Sequence, residues 1–164
     1  MKKILVLLLI TINLSSCEKD DICTDETTPQ LVLEFYDISN PSIKKPVVNL
    51  TITAEGQSSL GTFNGQTKIL LPLNTSQDQT KYSLKLNSTS INGSNEDFLE
   101  FNYTRQDIFV SRACGFKTIF ELNQTPLGLI KSEPTIEDGF WIQDINLLTS
   151  NISTENETHI KIYF

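Results

Sequence analysis

Leu31, Leu33 and Phe35 alternate with Val32, Glu34 and Tyr36, and the same period of two recurs further along the chain. Val48, Leu50 and Ile52 alternate with Asn49, Thr51 and Thr53, and Tyr82, Leu84 and Leu86 with Lys81, Ser83 and Lys85. Successive side chains of a strand point to opposite faces, so this alternation predicts half-buried strands. Runs rich in aromatic and β-branched residues predict further strands over 98–103, 108–111, 116–122, 140–148 and 160–164. Turn chemistry separates them: Asn40-Pro41, Glu55-Gly56, Asn64-Gly65, Asn92-Gly93 and Asp138-Gly139. No stretch carries an apolar i, i+3, i+4 stripe through three helical turns. The expectation is an all-β chain, an Ig-like antiparallel β-sandwich of about eight or nine strands. A small closed, lipocalin-like barrel is the alternative. Trp141 lies near the end of the chain, not midway between two cysteines, so the antibody-type Cys–Trp–Cys arrangement is absent.

The first residues follow a different pattern. Lys2 and Lys3 precede an apolar run from Ile4 to Ile12. That run has the length of a signal-peptide core and is too short for the ~30 Å of a bilayer's hydrocarbon. Leu14-Ser15-Ser16-Cys17 resembles the lipobox of bacterial lipoproteins. The resemblance implies cleavage before Cys17 and acylation of its thiol. Residues 1–16 are then a signal, 17–29 a lipidated N-terminus with a short acidic tether, and 30–164 the β-domain. The competing reading is a plain signal peptide with an incidental cysteine. Two or more acyl chains hold a protein stably on a membrane, so the chain would be anchored without spanning, in the outer membrane. Lys19-Asp20-Asp21 resembles the surface-export tether of Bacteroidota lipoproteins, which implies a domain facing outward. A solvated acidic linker is the alternative.

Three cysteines are an odd count for a secreted protein, but lipidation of Cys17 leaves one pair in an oxidising compartment. Cys23–Cys114 is therefore the expected disulfide. Metal or thiol chemistry at either residue lacks a surrounding cluster of ligands. Glu18 to Ile22 extends at most ~17 Å, so a bond at Cys23 would hold the folded body close to the bilayer.

Charge narrows the partners. Loss of Lys2 and Lys3 takes the basic count from 13 to 11 against 20 acidic side chains, a net charge of −9. This balance disfavours nucleic acid and anionic head groups. The only histidine, His159, alternates with Lys161 and Tyr163 on what reads as the outer face of the last strand. No Gly-x-Ser-x-Gly elbow is present, and one histidine with a bridged cysteine pair cannot supply a zinc site. Glu96-Asp97 and Glu137-Asp138 could be the paired carboxylates of a glycosidase, but they read more simply as solvated loop charge. No cofactor or metal is expected. Phe35, Tyr36, Phe140 and Trp141 are candidate recognition aromatics, with core packing as the alternative.

Cys17-Glu18-Lys19-Asp20-Asp21-Ile22-Cys23, Thr28-Pro29, Phe35-Tyr36-Asp37 and Cys114-Gly115-Phe116-Lys117 resemble a family of short flavobacterial lipoproteins of unknown function. The resemblance implies a lipidated, all-β envelope protein with one cysteine pair, and it carries no activity or site residues. The expectation is a non-enzymatic module held on a membrane by its N-terminal lipid, with a protein or glycan partner. A carrier of an apolar ligand and a carboxylate-dependent hydrolase are the competing readings.

Overall fold

The computed structural model of the chain describes residues 22–24, 27–91, 93–135 and 139–164. Among the described residues eleven strands run in chain order: β1 (Leu31–Tyr36), β2 (Leu50–Ala54), β3 (Ser59–Phe63), β4 (Lys68–Leu71), β5 (Gln79–Leu86) and β6 (Asn95–Ser111). They continue with β7 (Gly115–Leu122), β8 (Leu129–Ser132), β9 (Asp144–Leu147), β10 (Asn151–Ile152) and β11 (Ile160–Tyr163). A four-stranded sheet in the order β4-β1-β11-β9 faces a larger one in the order β10-β7-β6-β5-β2-β3, with β8 alongside β6. Neither sheet closes on itself, so the fold is a β-sandwich and the barrel alternative falls.

The sandwich is not wholly antiparallel. β1 and β11 pair in parallel at the centre of the small sheet, with Leu33 opposite Ile160 and Phe35 opposite Ile162. A parallel pair needs a long crossover, and here the entire large sheet intervenes between its two strands. Period-two alternation carries no strand direction, which is why this pairing was not legible.

The expected segments 98–103 and 108–111 are one 17-residue strand, β6. Its first half pairs with β5 and β8, and its second half with β7. The run expected over 140–148 is a strand only at Asp144–Leu147. β3, β4, β8 and β10 were not expected: β3 and β8 bury no residue, β4 runs three apolar residues together after Lys68, and β10 has only two residues. Val48 is exposed whereas Leu50 and Ile52 are buried. Asn49 takes a left-handed φ of 46°, which breaks the alternation and turns Val47 inward instead.

Leu31, Leu33 and Phe35 meet Leu50, Ile52, Tyr82, Leu84, Leu99, Phe101 and Phe120 between the sheets in one continuous core. Trp141 and Ile142 enter it from the segment before β9, and the Trp141 indole N–H donates to the Leu84 carbonyl at 2.9 Å. Phe164 lies edge-on to both Phe35 and Trp141, so the end of the last strand completes the packing.

Candidate functional site

Beyond Tyr103 and Leu122, β6 and β7 continue as a hairpin whose outer residues leave the sandwich: Thr104, Gln106, Asp107 and Phe109 are exposed. Gly115 at φ +70° supplies the left-handed residue that starts the return strand, a conformation costly for any residue with a Cβ. Register places Phe109 directly opposite Phe116, with ring centroids 5.4 Å apart in an edge-on pair. These rings are 57% and 70% exposed, so the contact is between two solvated side chains.

The same tip carries the disulfide. Cys114, next to Gly115, is bonded to Cys23 across a separation of 91 residues, as expected, with Cα atoms 4.8 Å apart. Thr28 continues the attachment: its hydroxyl accepts the Thr118 N–H at 3.0 Å, while the Thr118 hydroxyl donates to Asp107 at 2.7 Å. Cys23 and Thr28 are thus both fastened to the hairpin, at Cys114 and at Thr118. Ile22, beside the bridge, is exposed. Cys17, Lys19, Asp20 and Asp21 lie outside the described residues. Sequence reasoning passed over Phe109 and Phe116 because each reads as an ordinary strand residue. The signal that could have found them is the short turn around Cys114, which sets a hairpin register pairing the two rings.

Three buried polar groups sit elsewhere. Asp97, expected as solvated loop charge, is fully buried at the end of the core and accepts the Ile142 N–H at 2.8 Å. The Lys131 ammonium donates to the Ile142 carbonyl at 2.7 Å and sits over the Phe140 ring at 4.1 Å. Both backbone polar groups of Ile142 are therefore held by side chains, which seats Trp141 and Ile142. Burial pushes the Asp97 carboxyl up to about 6, against the lowering effect of the Ile142 N–H and the Lys131 charge.

His159, expected on an exposed face, is also fully buried. Its Nδ1 accepts the Val32 N–H at 2.8 Å, and the His159 backbone N–H donates to the Val32 carbonyl at 3.1 Å. One residue thus satisfies both backbone groups of Val32 where the β1–β11 ladder begins. His159 is outside the core cluster, yet it is buried beside Thr154, Glu155 and Glu157 of the segment that precedes it. Burial holds the imidazole below its usual value.

Tyr36 and Glu34 likewise point away from the core yet are covered. The Tyr36 hydroxyl and the Lys44 ammonium each donate to Glu34 at 2.7 Å. Burial raises the Glu34 carboxyl, but these bonds and the Lys44 charge outweigh it, and the group lies below its ordinary value. Bonding to Glu34, with burial, pushes the Tyr36 phenol up to about 12. Of the four candidate recognition aromatics, Phe35, Tyr36 and Trp141 are buried and Phe140 is 42% exposed under Lys131.

These groups do not assemble a reaction centre. Asp97 faces the core, whereas its neighbour Glu96 accepts a bond from the Ser83 hydroxyl. Glu137 and Asp138 lie outside the described residues. Among the described residues no group of three or more His, Cys, Asp or Glu side chains converges on a metal-sized site. A groove of about 290 Å³ runs past Leu60, Leu73, Asn74, Thr80 and Tyr82, open to solvent.

A two-sheet β-sandwich with a disulfide-stapled, aromatic-tipped hairpin is the class of molecule these features define. The chain belongs to the family of unknown function DUF6452, whose model matches residues 49–164. The expected membership of a family without assigned function holds at that level. No curated protein and no solved structure matches the chain.

Proposed function

We propose that this chain is a non-enzymatic envelope lipoprotein, anchored in the outer membrane by acyl chains on Cys17, whose β-sandwich is an interaction module. The observation that carries the reading is the Cys23–Cys114 bond. It uses both cysteines of the body and leaves Cys17, at the end of the lipobox-like Leu14-Ser15-Ser16-Cys17, for the lipid. The flavobacterial affinity and the outward orientation rest on the sequence resemblances, the latter on Lys19-Asp20-Asp21. The core filled by side chains from both sheets supports a module that binds a protein or glycan at its surface over a carrier with an interior ligand.

Labelling cells with an alkyne fatty acid tests the anchor. The native chain is expected to take up label and Cys17→Ser to lose it, while Cys23→Ser/Cys114→Ser keeps it. Equal labelling of native protein and Cys17→Ser sinks the reading. In the same cells, Lys19, Asp20 and Asp21 changed to alanine are expected to protect the domain from external protease; unchanged shaving rejects the outward orientation.

A further inference from the structure

The β6–β7 tip combines three features found together nowhere else among the described residues: an exposed aromatic pair, a covalent link to the N-terminal segment, and an exposed arginine, Arg112, at the turn. Residues 109–118 contain Arg112 and Lys117 and no acidic side chain. Asp107 lies behind them on β6 and the acidic residues of the tether stand beside Cys23 in the chain, so the two rings and not a net positive charge set the tip apart. We propose that this tip is a second membrane contact, with Phe109 and Phe116 entering the boundary between head groups and acyl chains and Arg112 meeting lipid phosphate. The proposal rests on the lipidation of Cys17.

Reach selects this end of the molecule. Six residue steps from Cys17 to Cys23 extend to ~20 Å at most. The bridge adds a Cα separation of 4.8 Å, and Phe116 lies two residues beyond Cys114. The far end of β6, at Asn95, is 14 residues from Phe109, or ~46 Å along a strand. A tether of that length therefore sets the tip, and not the opposite end, against the lipid surface. Two phenyl rings exposed by 57% and 70% are otherwise left in water, where large apolar groups on a soluble surface are unfavourable. Aromatic side chains with a flanking cation suit the interface, where the ring is buried and the charge stays with the head groups. The occupant is a phospholipid surface.

Trp141 is the only tryptophan and is buried, so Phe116→Trp adds a reporter at the tip over a fixed background. The full-length, processed protein is reconstituted in phosphatidylcholine–phosphatidylglycerol vesicles with brominated acyl chains. The emission added by Phe116→Trp is expected to be blue-shifted and quenched by roughly half, while Trp141 in the native chain keeps its intensity. Phe109→Trp gives the same readout if Phe116→Trp fails to fold. Added emission that is unquenched, whether water-like or blue-shifted against protein, overturns the tip contact. Mass spectrometry of the Cys17 peptide from the same sample separates the two readings. An acylated peptide with an unquenched tip rejects the tip contact alone; a peptide without acyl chains rejects the anchor and the tip contact with it.

Discussion

Asp97 and His159 are ionisable side chains held without exposure to water, and their protonation changes act on stability in opposite directions. Asp97 holds its proton up to about 6 in the folded chain against an ordinary value of 3.8. The folded state therefore binds more protons between those values, and the contribution of Asp97 is full below pH 3.8 and is lost as pH rises through about 6. The upper limit of that loss is about 3 kcal/mol at neutral pH. Asp97→Asn keeps an acceptor for the Ile142 N–H and removes the charge. We expect it to be at least as stable as the native chain at pH 7.5 in urea unfolding and to lose the native downward slope between pH 4 and 6. His159 behaves inversely, because its folded pKa is lowered. Its contribution is complete above the unfolded value of about 6.5 and declines as pH falls below it, since only the unfolded chain takes up the proton. His159→Ala leaves the Val32 N–H without its acceptor, a loss of about 2–4 kcal/mol at pH 7.5 with the cavity included. That deficit relative to the native chain is expected to shrink by pH 5; a deficit independent of pH would contradict a buried neutral imidazole. Neither residue's burial was legible, because alternation reports which way a side chain points and not whether another segment covers it.

At the scale of elements, the β6–β7 hairpin and the Cys23–Cys114 bridge form one unit, since Thr28 is also fastened to the hairpin at Thr118. Closing a loop with a separation of 91 residues stabilises by about 4–5 kcal/mol in the chain-entropy model. Cys23→Ser/Cys114→Ser is expected to lose about 3–5 kcal/mol in urea unfolding, and the native chain with its bridge reduced should match it. Loss below 1 kcal/mol would mean that the N-terminal segment contributes little to the body. The pairing itself followed from counting cysteines, whereas the aromatic pair beside it needed the register of the hairpin. β2 and β5 were legible because each has one face against the core and one toward solvent. β1 misled for the opposite reason: all six residues are buried, with Glu34 and Tyr36 closed over by Lys44 and Tyr163.

For the whole molecule, the decisive feature is that the first and last strands lie side by side at the centre of the small sheet. Residues 160–164 supply Ile160 and Ile162 to the core and Phe164 to the contact with Phe35 and Trp141. Deleting them is expected to abolish cooperative unfolding, and Phe164→Ala alone to cost about 2–4 kcal/mol by urea titration. A truncated chain that still unfolds cooperatively would show that the large sheet is stable without its partner. The sequence by itself determined the all-β class, the positions of the longer strands, the cysteine pair and the expectation of a lipid on Cys17. Each of these depends on local period, on residue type or on a count. Tertiary structure alone decided the parallel β1–β11 pairing, the burial of Asp97 and His159, and the exposure of Phe109 and Phe116. Those depend on which segments, far apart in the chain, are brought over one another, and a pattern with a period of two carries no such information.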